Sequence, residues 1–317
     1  MRVPHSDTAR DTEGERGSAL VAILWIIAIL SMAVFSATQF LFIELESESN
    51  ASSLFHAELL ADRGIAIASH PRVEKGDPLL IQSVSANDSF AARISSEGDR
   101  LNLNSLLENA EFDRIVLEQL FSNWGLRTDI AADVVDNLID WVDEDSDPTS
   151  VGAEQNYYFS QDRLNHPFNR PFESLNAVLL VKDFNLVVAA NPGWQDAFTL
   201  LSGGQLDINE APAELIAATC LCSVATADQF ISIRNGLDQI PGTIDDIKFE
   251  SVDEALQILR VPEGAIEDIS ARLSVEDPAK RLISIGRSGS IAVERSVTIQ
   301  YTGEQGSILS WTTRRIE

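Results

Sequence analysis

The 317 residues suffice for two domains and a sizeable buried core, and a hydrophobic share of 44% is ordinary for a globular chain. Forty-nine acidic side chains against 23 basic ones, a net charge of −26, disfavour the clustered Lys and Arg with which a nucleic-acid binder tracks phosphates. Two cysteines at one place, Cys220 and Cys222, exclude a disulfide framework and leave zinc two ligands short, while His5, His56, His70 and His166 fall in no spaced motif for a metal or hydrolase centre.

From Ser18 to Ile43 the chain runs SALVAILWIIAILSMAVFSATQFLFI, 26 residues without a charge. About 20 apolar residues span a bilayer core as a helix, so the segment is long enough. Arg10 and Arg16 precede it and Glu44, Glu46 and Glu48 follow. The positive-inside bias therefore puts the N-terminus in the cytoplasm and the bulk of the chain outside, which in a bacterium is the periplasm.

Three readings fit residues 1–43. A secretory signal peptide calls for a basic start and a shorter apolar stretch. A plain signal anchor fits the hydropathy but gives the Gly17-Ser18 junction no role. The third reading is a leader of residues 1–17, cut between Gly17 and Ser18. Arg16-Gly17 followed by an unbroken apolar helix resembles the prepilin peptidase site of pilins and pseudopilins. That family usually has Glu as the fifth mature residue and an aromatic or Met as the first; here they are Ala22 and Ser18. The missing carboxylate is a trait of the minor pseudopilins of the protein K kind. Removing residues 1–17 leaves 20 basic against 45 acidic residues, so the acidity belongs to the exported part.

Apolar and small residues continue at helical spacing through Leu54, Ala57, Leu60, Ala61 and Ile65, until Gly64 weakens the pattern and His70-Pro71 stops it. A single helix over residues 20–69 would be about 75 Å long. A membrane anchor and a separate helix, broken near Glu44–Asn50, fit equally.

Strand patterns occur in two distant places. Residues 89–104 read as two short runs about a Glu97-Gly98-Asp99 turn. Residues 281–315 read as three strands with turns at Ser288-Gly289 and Gly303–Gly306. Val293, Val297, Ile299 and Tyr301 share one face, Glu294, Thr298 and Gln300 the other. Between the two regions helical periodicity prevails. The economical fold is α+β: a long N-terminal helix on a small antiparallel sheet, with a large all-α insertion between the second and third strands. Residues 44–104 and 279–317 form the core, and the insertion divides into 105–204 and 205–278. In the first part Thr128 is an N-cap candidate before the stripe Ile130, Val134, Leu138, Ile139 and Val142. In the second, Asn209 or Glu210 before Pro212 and Glu214 reads as a helix start.

Four segments, RLNLNSLL at 100–107, DWVDEDSDPTSVGAEQNYY at 140–158, NRPFESLNAVLLV at 169–181 and INEAPAELIAA at 208–218, stand in an order that resembles the protein K family of general secretion pathways. With the helix and strands at the two ends, the resemblance covers nearly all of the chain after the leader. It implies a pilin-like core carrying two SAM-like modules, shaped like helix-hairpin-helix units. It implies a tip position on a type II secretion pseudopilus, anchored once in the bacterial inner membrane. Minor pseudopilins I and J, other pseudopilus and inner-membrane components and prepilin peptidase are then partners, with no nucleic acid and no enzymatic activity.

Asp143, Asp145 and Asp147 alternate, and Glu154 follows eleven residues after Asp143. This is the carboxylate spacing of an EF-hand loop, but Pro148 stands where that loop needs a left-handed glycine. Asp140, one turn earlier, is a further ligand candidate. The residues alone allow either a solvated acidic loop or a cation site. Proteins resembling protein K carry calcium in this domain, so the resemblance implies a structural Ca2+ that pins the 143–170 loop.

Cys220 and Cys222 would close a strained loop if bridged, with buried reduced thiols at a helix end as the alternative. His166 comes with no G-x-S-x-G or H-E-x-x-H, and its neighbours read as loop. One alternative of another class remains: a membrane-anchored helix-hairpin-helix module for DNA, using 208–218. Residues 205–258 offer it only Arg234 and Lys248 as cations, the wrong sign for gripping phosphate.

Overall fold

The computed structural model describes residues 12–316 apart from 244 and 304, with side chains from Leu20 onward. Residues 1–11 of the expected leader lie outside the described residues. Gly17 and Ser18 fall inside the first helix, and only their backbone is described.

Helix α1 runs unbroken from Thr12 to Ala68, 57 residues and about 85 Å. Of the two readings for this region, the single helix is the one observed, because nothing in Glu44–Asn50 removes a backbone hydrogen bond. Every side chain from Leu20 to Ser52 is exposed. Beyond them the helix turns Ala57, Leu60, Ala61, Ile65 and Ala68 inward.

These residues rest on a five-stranded antiparallel sheet of order β1-β2-β7-β8-β9. Its strands are β1 (Ile81–Ser83), β2 (Asp88–Ser96), β7 (Ala279–Ser288), β8 (Ile291–Thr302) and β9 (Gln305–Ile316). The remaining strands, β3 to β6, belong to the insertion. Helix α1 lies across β2, β7 and β8, where Ile65, Ala68, Leu80, Ala92, Leu282, Val297 and Ile299 form one buried cluster. Each Ile, Leu or Val among them contributes about 1.5–3 kcal/mol on full burial. Two glycines set the approach. A Cβ on Gly64 would lie 2.1 Å from Ser284 Oγ, and one on Gly286 2.0 Å from Ala57 O. The glycine that weakens the helix in the sequence is thus what lets helix and sheet touch.

The expected faces of β8 hold for Val293, Val297 and Ile299, which are buried, and for Gln300, which is exposed. Thr298 is buried instead, beside a register shift between Thr298 and Ile299. The first strand pair differs from expectation. The run after the Glu97–Asp99 turn does not return to the sheet; residues 81–83 supply β1, and β3 (Leu101–Asn102) pairs in parallel with β4 (Phe198–Thr199). The physical reason is the turn itself. Glu97 is 1% exposed and its carboxylate takes hydrogen bonds from Arg100 and Thr199, which pulls the chain off the sheet and into the insertion.

The insertion between β2 and β7 holds helices α2 (Leu103–Glu108), α3 (Ala110–Asn123), α4 (Thr128–Val142), α5 (Gln155–Ser160), α6 (Phe184–Ala190), α7 (Ala213–Thr219), α8 (Val224–Arg234), α9 (Val252–Leu259) and α10 (Ile266–Ala271). The β3–β4 pair fastens the ends of the first stretch. A second parallel pair, β5 (Leu206–Asp207) with β6 (Leu273–Ser274), fastens those of the second. One apolar cluster nevertheless runs through both, from Leu101 to Leu273.

Thr128 is the first residue of α4 rather than its cap. Arg127 holds the capping position without a side-chain bond to the helix backbone and pairs with the Asp129 carboxylate. The buried face of α4 is Ala131, Val134, Val135, Leu138 and Trp141, so Ile130, Ile139 and Val142 of the expected stripe lie at its margins.

Candidate cation site

Helix α4 ends beside a loop that folds back on it. Asp140, in the last turn, is wholly buried and accepts Thr149 N at 3.1 and 3.2 Å on its two oxygens. Asp143 caps the helix in an extended conformation. Eleven residues on, Glu154 caps α5 and is 6% exposed. One carboxylate oxygen from each of Asp140, Asp143 and Glu154 lies within 4.8 Å of the others.

No basic side chain is paired with this group among the described residues. Both oxygens of Glu154, Oδ1 of Asp143 and Oγ1 of Thr149 are buried without a hydrogen-bond partner. Burial, then the neighbouring carboxylates, pushes Asp143 up to about 6 and Glu154 up to about 7; burial raises Asp140 as well. Like charges brought together out of water repel, and a bound cation removes the penalty. The donors are all hard oxygens, the chemistry of Ca2+ rather than of a soft metal.

Of the five residues expected as ligands, Asp140, Asp143 and Glu154 come together, while Asp145 and Asp147 do not join the cluster. Those two are exposed, and Asp145 Oδ1 accepts Asp147 N at 2.8 Å in a local turn. Two contributors were not foreseen. Thr149 caps Asp140, and Gly152 lets the loop close, since a Cβ there would sit 1.9 Å from Asp140 Oδ2. In the sequence Gly152 stands out only as one residue of the 140–158 segment.

The other singled-out residues sit elsewhere. His166 packs among Trp141, Tyr158 and Phe168, its Nδ1 3.1 Å from Leu164 O. Cys220 and Cys222 stand as free thiols; burial pushes Cys220 up to about 12. Arg234 is buried and donates to Ile208 O and Ala211 O at 2.9 and 2.8 Å, so it is spent inside the fold.

The loop and helices of this site fall within residues 99–191, which match the family model described as type II secretion system (T2SS), protein K. The chain is similar to protein K of the type II secretion system. A curated relative, type II secretion system protein K of Pseudomonas aeruginosa, is 27% identical over 153 residues, 45% of this chain and 43% of that protein. The match thus spans less than half the length of that relative. A chain in the crystal structure of the GspK-GspI-GspJ complex from the enterotoxigenic Escherichia coli type 2 secretion system superposes with a TM-score of 0.60 at 18% identity. That superposition takes in 90% of this chain and 99% of that one, so the two chains share the same fold.

Proposed function

We propose that this protein is the minor pseudopilin K of a type II secretion system, a structural subunit at the tip of the pseudopilus and not an enzyme. The observation that carries the reading is the protein K match over residues 99–191, lying in the insertion that sets this fold apart from a plain helix-on-sheet subunit. A filament of such subunits buries each long helix among its neighbours. A bulky insertion leaving the sheet between β2 and β7 obstructs a subunit stacked above it, which favours a terminal place. Ala22, lacking the carboxylate that offsets a neighbour's terminal amine, favours the same place.

In this reading residues 18–43 anchor the chain once in the inner membrane, N-terminus inward, after prepilin peptidase has cut between Gly17 and Ser18. Pseudopilins I and J are its partners along α1, a reading supported by the composition named for the solved complex. Asp140, Asp143 and Glu154 hold a structural Ca2+, which supplies the positive charge that their buried oxygens lack and ties the loop after α4 to the start of α5. Asp145 and Asp147 stay at the rim.

The test is secretion and processing together. Deleting the chain is expected to stop export of the system's substrates from the host, with restoration by the intact chain. Mass spectrometry of membranes with and without a co-expressed prepilin peptidase is expected to show a product beginning at Ser18 only with the peptidase. Undiminished secretion after deletion overturns the tip reading, and an intact Met1 under both conditions overturns the leader.

A further inference from the structure

The segment that follows the acidic loop carries several exposed apolar side chains. Val151, Tyr157, Phe159, Leu164, Phe168 and Leu180 are between 36% and 66% exposed, yet all lie on one folded segment of the first half of the insertion. Scattered exposed apolar residues mean little, whereas a concentration of this kind marks an interaction surface.

The segment is not loose. Lys182 Nζ donates to Val151 O at 3.0 Å and stands 5.1 Å over the Tyr157 ring. Arg163 donates from its guanidinium to Leu180 O at 2.9 Å and from its backbone N to Tyr158 O at 2.9 Å. Lys182 N donates to the hydroxyl of buried Tyr158 at 3.1 Å. The apolar side chains therefore project from a fixed backbone, which lowers the entropic cost of docking.

The charges around the face are predominantly negative. Arg170 is paired with Glu173 at 3.3 Å, which leaves Lys182 and Arg163, both held against backbone carbonyls, as its two uncompensated cations. Glu144, Asp145, Asp147, Asp162 and Asp183 are exposed around it, and none of them is in a salt bridge among the described residues. A second copy would bring the same acids, and an anionic bilayer surface would be repelled likewise. Complementarity asks for an apolar surface ringed by Lys or Arg.

We propose that residues 151–180 form a docking face for a different protein that presents an apolar patch with a basic rim. The inference rests on the cation reading only in that the ion ties the start of this segment, at Glu154, to the end of α4.

The experiment places a photo-crosslinking phenylalanine analogue at Phe159 or Leu164 of the full chain in secreting cells, with Ile233 on α8 as a control position. It pairs this with the variants Phe159→Asp and Leu164→Asp. The expected result is one heterologous adduct at both positions and not at the control, joined at an apolar stretch flanked by Lys or Arg. Secretion is expected to fall roughly tenfold in the variants. Calcium-dependent melting, measured on the same variants, is expected to be unchanged. Adducts only to a second copy or to lipid, no adduct at all, or undiminished secretion by both variants overturns the docking face. Loss of the calcium-dependent melting shift in the unmodified chain would sink the cation reading alone, since adducts and secretion are read independently of it.

Discussion

Arg281, near the start of β7, donates to Asp99 Oδ2 at 2.8 Å, joining the turn by which the chain leaves the sheet to the strand by which it returns. The pair stands in a largely buried knot. Arg281 also faces Glu97 at 3.7 Å, and Asp277 accepts Gly203 N at 2.8 Å and Ala279 N at 2.7 Å. The insertion is thereby held to the core by charge as well as by chain connectivity.

Removing the arginine leaves Glu97 and Asp99 with less compensation than they need in a buried setting. Arg281→Ala is expected to destabilise the protein by about 3 kcal/mol, read by denaturant unfolding. Arg281→Lys, which keeps the charge and loses the fork, should cost less. Equal stability of all three forms would show that the knot contributes nothing.

The contact between α1 and the sheet depends on the absence of a Cβ at Gly286 as well as at Gly64. In Gly286→Ala the new atom meets the Ala57 carbonyl at 2.0 Å, so backbone must shift. The expected loss is about 1–3 kcal/mol, seen as a lower Tm. An unchanged Tm would mean that helix and sheet slide freely, against the packing described.

At the carboxylate cluster the sign of a substitution should depend on calcium. In Glu154→Gln a buried, repelled charge is removed, so the metal-free variant is expected to be at least as stable as the parent. With calcium at a hundredfold excess over Kd the parent gains about 2.7 kcal/mol, and the variant gains much less. Gly152→Ala should abolish the gain too, because its Cβ collides with Asp140. Calorimetry with and without chelator reads all six cases, and an identical calcium effect in parent and variants rules the site out.

The metal-free protein should become more stable as the solution turns mildly acidic. Glu154 rises from 4.5 to about 7 and Asp143 from 3.8 to about 6 on folding. An acid with a raised folded pKa binds its proton more tightly in the native state. The penalty for its charge is therefore present above the folded pKa, relieved as pH falls through 7 to 6, and gone below the unfolded values. Asp207, buried in the joint and pushed up to about 6 mainly by desolvation, acts in the same direction whether or not calcium is bound. Tm of the chelated protein is expected to climb from pH 8 to pH 5, with a smaller climb in calcium. A flat chelated profile would mean that these carboxylates are solvated.

The strand reading illustrates where local pattern stops. Val293, Val297 and Ile299 lie inward as their alternation requires, and the three C-terminal strands form where the turns at 288 and 303 put them. Leu101 and Asn102 also alternate, yet they pair with Phe198 and Thr199 nearly a hundred residues later. An extended segment specifies its faces and not its partner. The partner was chosen by the burial of Glu97 among groups remote in the chain.

Taken alone, the amino-acid order determined the uncharged helix after Gly17, the helical character of the insertion, the three final strands and an acidic loop with a carboxylate eleven residues after its first. These are consequences of hydrophobic period, turn residues and charge, all carried by neighbours in sequence. Only the tertiary structure decided that α1 is one helix seated on Gly286, that Arg281 closes the joint on Asp99, and that Asp140 and Glu154 converge while Asp145 and Asp147 turn outward. Those outcomes depend on close approach and desolvation between distant segments, which have no signature until the chain has folded.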